Sequence, residues 1–259
     1  MIGAIAANTF RETVRDRVLY AILIFAALAT LAGVVFGSLS ADQDVRVLED
    51  LGLFTITTFG GVIAIFLGTN LVFKEIDRRT IFLIVTKPIN RWEFVTGKFF
   101  GLALCVFVTN FAMGLFFQLV IWFQTGNFNS ALPMLGSLSL IYLELLLVIA
   151  IATFFSTFAT PLMSMIFTCG LWLVGHLSFS FELLAALARK NDSIATEKLA
   201  LFLQYVMPDL AKLTTVRGDM MDARYPSADL LGYVIAYILA YLVILLSLST
   251  IIAERREFN

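Results

Sequence analysis

Charged residues are scarce in this sequence. Only 14% of its 259 residues are Asp, Glu, Lys or Arg, whereas 60% are hydrophobic and the mean hydropathy is +0.92. A soluble domain needs charged side chains to cover its exterior, so a composition this apolar excludes one. A helix that crosses a bilayer needs about 20 apolar residues, and the chain is long enough for several such helices and little else.

Residues that bind metals or carry redox chemistry are also rare. His176 is the only histidine, which argues against a His-rich metal site, so we predict no metal ion and no cofactor in this chain. Cys105 and Cys169 lie far apart in apolar runs and are expected to be packing residues. The net charge of −1 does not bear on nucleic-acid binding, but the basic residues are confined to loops, and we predict no nucleic-acid partner.

The chain has no phosphate-binding loop. Gly97-Lys98 is followed by Phe99, and no glycine stands five positions before Gly97, so the pattern GxxxxGK[ST] fails. A serine hydrolase using His176 is also disfavoured, because no GxSxG motif accompanies that histidine. We therefore predict that the protein is not an enzyme and does not hydrolyse ATP by itself.

Long uncharged runs define the fold class. They predict an all-α integral membrane protein in which residues 1–259 form a single transmembrane domain. The breaks between runs, such as the segment around Pro133 and the turn at Thr160-Pro161, separate six transmembrane helices. These helices are expected at about residues 18–40, 51–73, 99–123, 135–157, 161–181 and 230–253.

Three further segments mix apolar and charged residues. Residues 1–17 carry an apolar stripe opposite a charged face, which is typical of a helix lying in the headgroup plane; the alternative is a solvated helix without membrane contact. Residues 74–98 predict an amphipathic helix followed by a break at Pro88. Residues 182–229 predict two short helices that rest on the membrane surface.

The distribution of basic residues predicts the orientation. Six membrane crossings place residues 1–17, 74–98 and 254–259 on one side, and these segments hold eleven Lys and Arg against seven in the longer loops opposite. The positive-inside rule therefore places both termini and residues 74–98 in the cytoplasm. Residues 182–229 then form an extracytoplasmic loop.

Glu144 is the most unusual residue within a predicted span. A charged residue at the centre of a transmembrane helix costs about 2.5–3.5 kcal/mol on insertion scales, less if it is neutral or paired. An antiparallel hairpin about Thr160-Pro161 would bring Glu144 and His176 to similar depth. Two interpretations stay open, a structural hydrogen bond between two helices and a site for substrate or protons.

The last predicted span carries a stripe of tyrosines. Tyr233, Tyr237 and Tyr241 repeat every four residues, and small residues lie beside them on the same helix. This pattern favours close packing between helices, while the hydroxyl groups offer the alternative of a lining for a transport pathway.

The segment from Lys74 to Gly101, KEIDRRTIFLIVTKPINRWEFVTGKFFG, resembles the region after the second span in permeases of the ABC-2 type. It is more narrowly similar to the subgroup associated with multicopper-enzyme maturation, the permease of the nitrous-oxide reductase accessory system. FRETVRDRVLY near the start, STFATP, YVMPDL and the Arg-rich tail support the resemblance, which covers nearly the whole chain. Many ABC-2 sequences have glycine where this chain has Arg79.

The resemblance implies a permease subunit of an ATP-driven exporter in the plasma membrane, the inner membrane of bacteria. Such a subunit works as a dimer, with a second permease copy, and pairs with cytoplasmic ABC ATPase subunits that bind ATP and magnesium. The first helix and a cytoplasmic coupling helix within 74–98 would contact the ATPase. The charged residues implied for these contacts are Arg11, Glu12, Arg15, Glu75, Asp77, Arg78 and Arg79.

The substrate stays open at this point, and so do two other functions. The protein would act as a membrane scaffold or anchor if residues 74–98 dock a soluble partner without transport. It would act as a proton-coupled carrier if Glu144 is the working residue. Membrane lipid surrounds the chain under every one of these interpretations.

Overall fold

The computed structural model describes residues 1–37, 44–77, 91–128, 131–190, 193–221 and 226–255. These residues form ten α-helices and no strand, which confirms the all-α prediction. The helices are α1 (Ile2–Val14), α2 (Arg17–Gly37), α3 (Asp44–Asp77), α4 (Arg91–Thr125), α5 (Ala131–Ser156), α6 (Pro161–His176), α7 (Ser178–Lys190), α8 (Ile194–Val206), α9 (Leu210–Met221) and α10 (Ala228–Arg255).

Five of the described helices are long and apolar enough to cross a membrane, namely α2, α3, α4, α5 and α10. A sixth crossing exists if α6 and α7 count as one, but the chain bends by 65° between them. The predicted span over residues 161–181 is thus a helix of 16 residues that ends at His176. The protein is a membrane protein with five or six candidate spans.

The end of α6 lies against the segment that leads into α9. A Cβ atom at Gly175 would lie 2.9 Å from the carbonyl oxygen of Pro208 and 2.9 Å from Leu210, so only glycine allows this approach. The backbone N–H of Leu177 closes the helix by donating to the carbonyls of Leu173 and Val174. Hydropathy does not reveal the break because the residues on both sides of it are apolar.

The α5 helix is the centre of the bundle. It packs against α3, α4, α6, α9 and α10, and most of its residues are buried. Of the windows that could span a membrane, those of α3 and α5 are each 67% buried, against 22% for α2 and 17% for α10. The two helices α2 and α10 therefore leave wide apolar faces on the outside of this chain.

The apolar stripe of α1 packs on α4. A Cβ at Gly101 would lie 2.6 Å from the Cβ of Thr9 and 2.7 Å from the carbonyl oxygen of Ala6, so the two helices touch through their backbones. Thr9 and Thr13 are buried on this face, whereas the charged face of α1 stays exposed. The stripe that suggested contact with the headgroup plane is largely used for contact with protein.

The region predicted as two surface helices contains three described helices, α7, α8 and α9. The first two pack against each other, and α9 packs along α5. Leu210 at the start of α9 contacts Gly175, and Met220 near its end contacts Gly136 in the first turns of α5. The α9 helix therefore enters the bundle instead of resting on its surface.

Candidate functional site

The candidate site is built around Glu144, which lies near the middle of α5 and is completely buried. Burying an ionised carboxylate is costly unless charges and hydrogen bonds compensate for the lost water. The neighbouring helices α3, α6 and α9 bring polar groups to it. We refer to Glu144, Trp172, His176, Arg217 and Thr57 as the polar cluster.

Two members of the polar cluster come from the last turns of α6. The indole Nε1–H of Trp172 donates to Oε1 of Glu144 at 3.0 Å. Nε2 of His176 lies 3.2 Å from the same oxygen, and Nδ1 of His176 lies 3.0 Å from the carbonyl oxygen of Trp172. The structure thus brings together Glu144 and His176, the two residues that the sequence singled out.

The third side of the cluster is Arg217 of α9, which is 7% exposed. Its Nη1 donates to the Thr57 hydroxyl on α3 at 2.7 Å and lies 3.9 Å from Oε2 of Glu144. The Ser137 hydroxyl of α5 donates to the carbonyl oxygen of Arg217 at 3.5 Å. Burial lowers the pKa of Arg217 and the charge of Glu144 opposes that shift, so the guanidinium stays charged.

Sequence reasoning missed Arg217, although a signal was present. Leu210, Leu213, Val216 and Met220 form an apolar stripe along α9, and Arg217 stands four residues after Leu213 on the same buried face. A charge on the apolar face of an amphipathic helix indicates a buried partner. The partner could not be named from the sequence, because Thr57 is 160 residues away.

The carboxylate of Glu144 is only partly satisfied. Its Oε1 is within hydrogen-bonding distance of Trp172 and His176, whereas Oε2 has no hydrogen bond from the part of the chain that the structure describes. Arg217 compensates its charge at 3.9 Å without a hydrogen bond. An arrangement of this kind is suited to binding a proton or a small polar group.

The tyrosines of α10 form a second polar region beside the cluster. Tyr237 stacks near Tyr233 with ring centroids 6.2 Å apart and contacts Tyr241 with centroids 4.9 Å apart. The hydroxyl oxygen of Tyr237 accepts a hydrogen bond from the backbone N–H of Asp209 at 3.0 Å. Tyr237 thus ties α10 to the beginning of α9, while Tyr233 is exposed.

A cavity of about 180 Å³ opens between α9 and α10 at these tyrosines. Its polar lining comes from Gln204, Asp209, Lys212, Tyr233 and Tyr237. Asp209 accepts from the Ser178 hydroxyl and pairs with Lys212 Nζ at 3.0 Å. Burial alone would raise the pKa of Asp209, but the bond from Ser178 and the pairing with Lys212 outweigh it, so the pKa is lowered.

The residues implied as ATPase contacts are only partly within the described chain. Arg11, Glu12 and Arg15 are exposed on α1. Glu75 and Asp77 lie in the last turns of α3, as the backbone shows. Arg78 and Arg79, with the rest of the predicted coupling helix up to residue 90, lie outside the described residues.

The described residues contain no group of three or more His, Cys, Asp or Glu side chains arranged to hold a metal ion. The groups that the polar cluster contains are a carboxylate, an imidazole, a guanidinium, an indole N–H and a hydroxyl. These groups support binding and proton transfer.

The chain was compared with known protein families. The family model described as ABC-2 family transporter protein matches residues 3–256, which is nearly the whole chain. A comparison with curated proteins found no match.

Proposed function

Since the chain belongs to the ABC-2 transporter family, we propose that it is the transmembrane permease subunit of an ATP-driven exporter. The observation that carries this proposal is the match over residues 3–256, because it covers the five or six candidate spans and leaves no room for another domain within this chain. The match is to the family as a whole. The narrower multicopper-enzyme-maturation subgroup stays a prediction from the sequence.

The energy for transport would come from separate ATPase subunits in the cytoplasm. The sequence has no phosphate-binding loop, so ATP and magnesium would bind to the partner. The exposed charges of Arg11, Glu12 and Arg15 on α1 would supply a contact surface for that partner, and Glu75 and Asp77 at the end of α3 would contribute to it. Arg78 and Arg79 follow directly in the sequence and would contribute to the same contact.

A second copy of the permease would complete the transporter. The spanning windows of α2 and α10 are mostly unburied in a single chain, which leaves apolar faces for another subunit and for lipid. With six crossings, the positive-inside rule would place both termini on the cytoplasmic side of the plasma membrane, which is the inner membrane in bacteria. The α7–α9 region then lies towards the outside.

The substrate pathway would run past the polar cluster and the α9–α10 cavity. Glu144 and His176 lie at the centre of the bundle, and Tyr233 and Tyr237 line a cavity that reaches the surface. Tyr241 continues the stripe along α10. These polar groups are candidates for contacts with a substrate that crosses this subunit.

The test is purification of the tagged chain from its native membrane. We expect an ATPase subunit with a phosphate-binding loop to co-purify, and its ATPase activity to change when both are reconstituted in lipid vesicles. Glu75→Lys and Arg79→Glu should each reduce the recovered ATPase strongly, because reversed charges repel the partner surface. Lys198→Glu, an exposed charge reversal on α8, is the matched control and should recover as much ATPase as the wild type.

The outcomes separate the competing functions. If both charge-reversed variants still recover the ATPase, the result contradicts the coupling role of these residues. A chain that purifies with another soluble protein and no ATPase supports the scaffold. Uptake driven by a proton gradient in vesicles without ATP supports the proton-coupled carrier.

A further inference from the structure

Both ring nitrogens of His176 face hydrogen-bond acceptors. Nδ1 is 3.0 Å from the carbonyl oxygen of Trp172, and Nε2 is 3.2 Å from Oε1 of Glu144. A carbonyl oxygen and an ionised carboxylate can only accept. A neutral imidazole carries one N–H, so with an ionised Glu144 one of the two contacts would join two acceptors with no proton between them.

One additional proton satisfies both contacts. In the first arrangement the proton makes His176 an imidazolium that donates from both nitrogens. In the second it protonates Glu144, so that Oε1–H donates to Nε2 of His176 while Nδ1–H of His176 donates to the carbonyl oxygen of Trp172. The two arrangements contain the same number of protons and differ only in the position of one of them. Each arrangement leaves the Trp172 indole able to donate to Oε1 at 3.0 Å.

We infer that Glu144 and His176 share one bound proton at neutral pH, so that they form a proton-binding site where α5, α6 and α9 meet. This inference rests on the contacts of the two residues and is independent of the ATPase partnership.

The other groups that face the site do not change the number of protons that Glu144 and His176 need. Arg217 of α9 is the charged group that approaches from outside the pair, but its Nη1 is bonded to Thr57 at 2.7 Å and stays 3.9 Å from Oε2. Thr57 of α3 and Trp172 of α6 are neutral. Because Arg217 gives Glu144 no hydrogen bond, the imidazole is the nearest proton donor that can satisfy the carboxylate beside Trp172.

Of the two residues, His176 is the one with exposed surface. The side chain of Glu144 is 0% exposed and that of His176 is 27% exposed, so a proton that reaches the pair would pass through the imidazole. Losing the proton would leave one ring nitrogen of His176 facing an acceptor with no proton between them, and if that nitrogen is Nε2 the contact between α5 and α6 is weakened. The chain bends by 65° between α6 and α7, directly after His176.

The single histidine makes the test direct, because nitrogen NMR of the chain labelled with ¹⁵N-histidine contains signals from one imidazole only. The full chain is measured in lipid nanodiscs at pH 7, together with infrared spectroscopy of its carboxyl groups. We expect either two protonated ring nitrogens or a neutral carboxylic acid band that disappears in Glu144→Gln. In Glu144→Gln at the same pH we expect one ring nitrogen without a proton.

A control variant and a clear opposite outcome complete the experiment. Glu197→Gln removes a carboxylate on α8 that pairs with the exposed Arg189, and it should leave the His176 signals unchanged. A wild-type spectrum with one bare ring nitrogen and no carboxylic acid band overturns the inference. If Glu144→Gln does not fold, the wild-type spectra alone decide whether the pair holds the proton. Trp172→Phe keeps both Glu144 and His176, so this variant should retain the proton.

Discussion

Arg217 closes the polar cluster from the side of α9. Its guanidinium is bound to Thr57 of α3 and lies 3.9 Å from Glu144 of α5, so one side chain joins three helices. A buried guanidinium without compensating groups would be strongly unfavourable, and the same holds for the buried carboxylate. Each charge therefore depends on the other for its place in the bundle.

This dependence predicts the result of a double-mutant cycle. Arg217→Gln should lower the free energy of unfolding by about 3–5 kcal/mol, because it leaves Glu144 buried with a weaker compensating charge. Glu144→Gln should also destabilise the protein. The double variant should be more stable than the sum of the single effects predicts, with a coupling of about 1–3 kcal/mol.

The measurement is denaturant unfolding of the purified chain in mild detergent, followed by tryptophan fluorescence. Thr215→Ala on the exposed face of the same helix is the control for α9 and should change stability little. Strict additivity of the two charge changes would contradict an interaction between Glu144 and Arg217.

Individual residues of the site differ in how far the sequence predicts them. Glu144 and His176 are visible as polar residues in long apolar runs, and a simple hairpin brings them to one depth. Arg217 is not visible in this way, because it lies in a segment with many charges. Its pairing requires knowing that α9 runs along α5, which local composition does not determine.

Among the helices, α1 and α4 form the closest contact that bears on the proposed partner surface. Gly101 allows the backbone of α4 to meet Thr9 and Ala6 of α1, and the opposite face of α1 presents Arg11 and Glu12. The contact of α1 with α4 at Gly101 therefore determines where these charges lie. A change at Gly101 moves a partner surface without altering any charge.

Gly101→Ala tests this link. The new Cβ would lie 2.6 Å from the Cβ of Thr9, so we expect α1 to shift and stability to fall by about 1–3 kcal/mol, partly offset by the better helix propensity of alanine. ATPase recovery should fall with it. Thermal unfolding and the co-purification described above are the measurements.

Gly232→Ala in α10 is the matched control for this prediction. No atom lies within 4 Å of the position that its Cβ would take, so it should be neutral or more stable by up to about 1 kcal/mol. Equal behaviour of the two alanine variants would show that the α1–α4 contact does not constrain α1.

The helices themselves follow largely from hydropathy and chain breaks. The predicted first to fourth spans and the last one correspond to α2, α3, α4, α5 and α10, because long apolar runs leave few other choices in a membrane. The break after His176 and the entry of α9 into the bundle do not follow from hydropathy. Both depend on the contact between Gly175 and the Pro208–Leu210 segment, which is tertiary.

At the scale of the molecule, the bundle has a polar interior on the side of α9 and wide apolar faces on α2 and α10. The orientation of this asymmetric bundle in the membrane determines the side to which the α9–α10 cavity opens. The excess of basic residues in segments 1–17, 74–98 and 254–259 predicts that the cavity faces outwards.

Cysteine labelling in intact cells checks the orientation. In a variant with Cys105 and Cys169 replaced by alanine, Lys198→Cys on α8 should react with a membrane-impermeant maleimide. Glu12→Cys on α1 should react only after the membrane is permeabilised. Both positions are exposed in this chain, and reaction of Glu12→Cys after permeabilisation would show that a bound partner does not cover it, so the earlier lack of reaction would report the membrane barrier. The reverse labelling pattern would invert the orientation and move the cavity to the cytoplasmic side.

The position of Arg217 near the end of the chain also has a consequence for biosynthesis. The ribosome completes α5 before it makes α6 and α9, so Glu144 is delivered to the membrane before His176 and Arg217 exist. The nascent α5 must therefore be held with an unpaired carboxyl group until the later helices arrive. Truncation of the chain before α9 should make it a substrate for membrane quality control, even though α5 is complete.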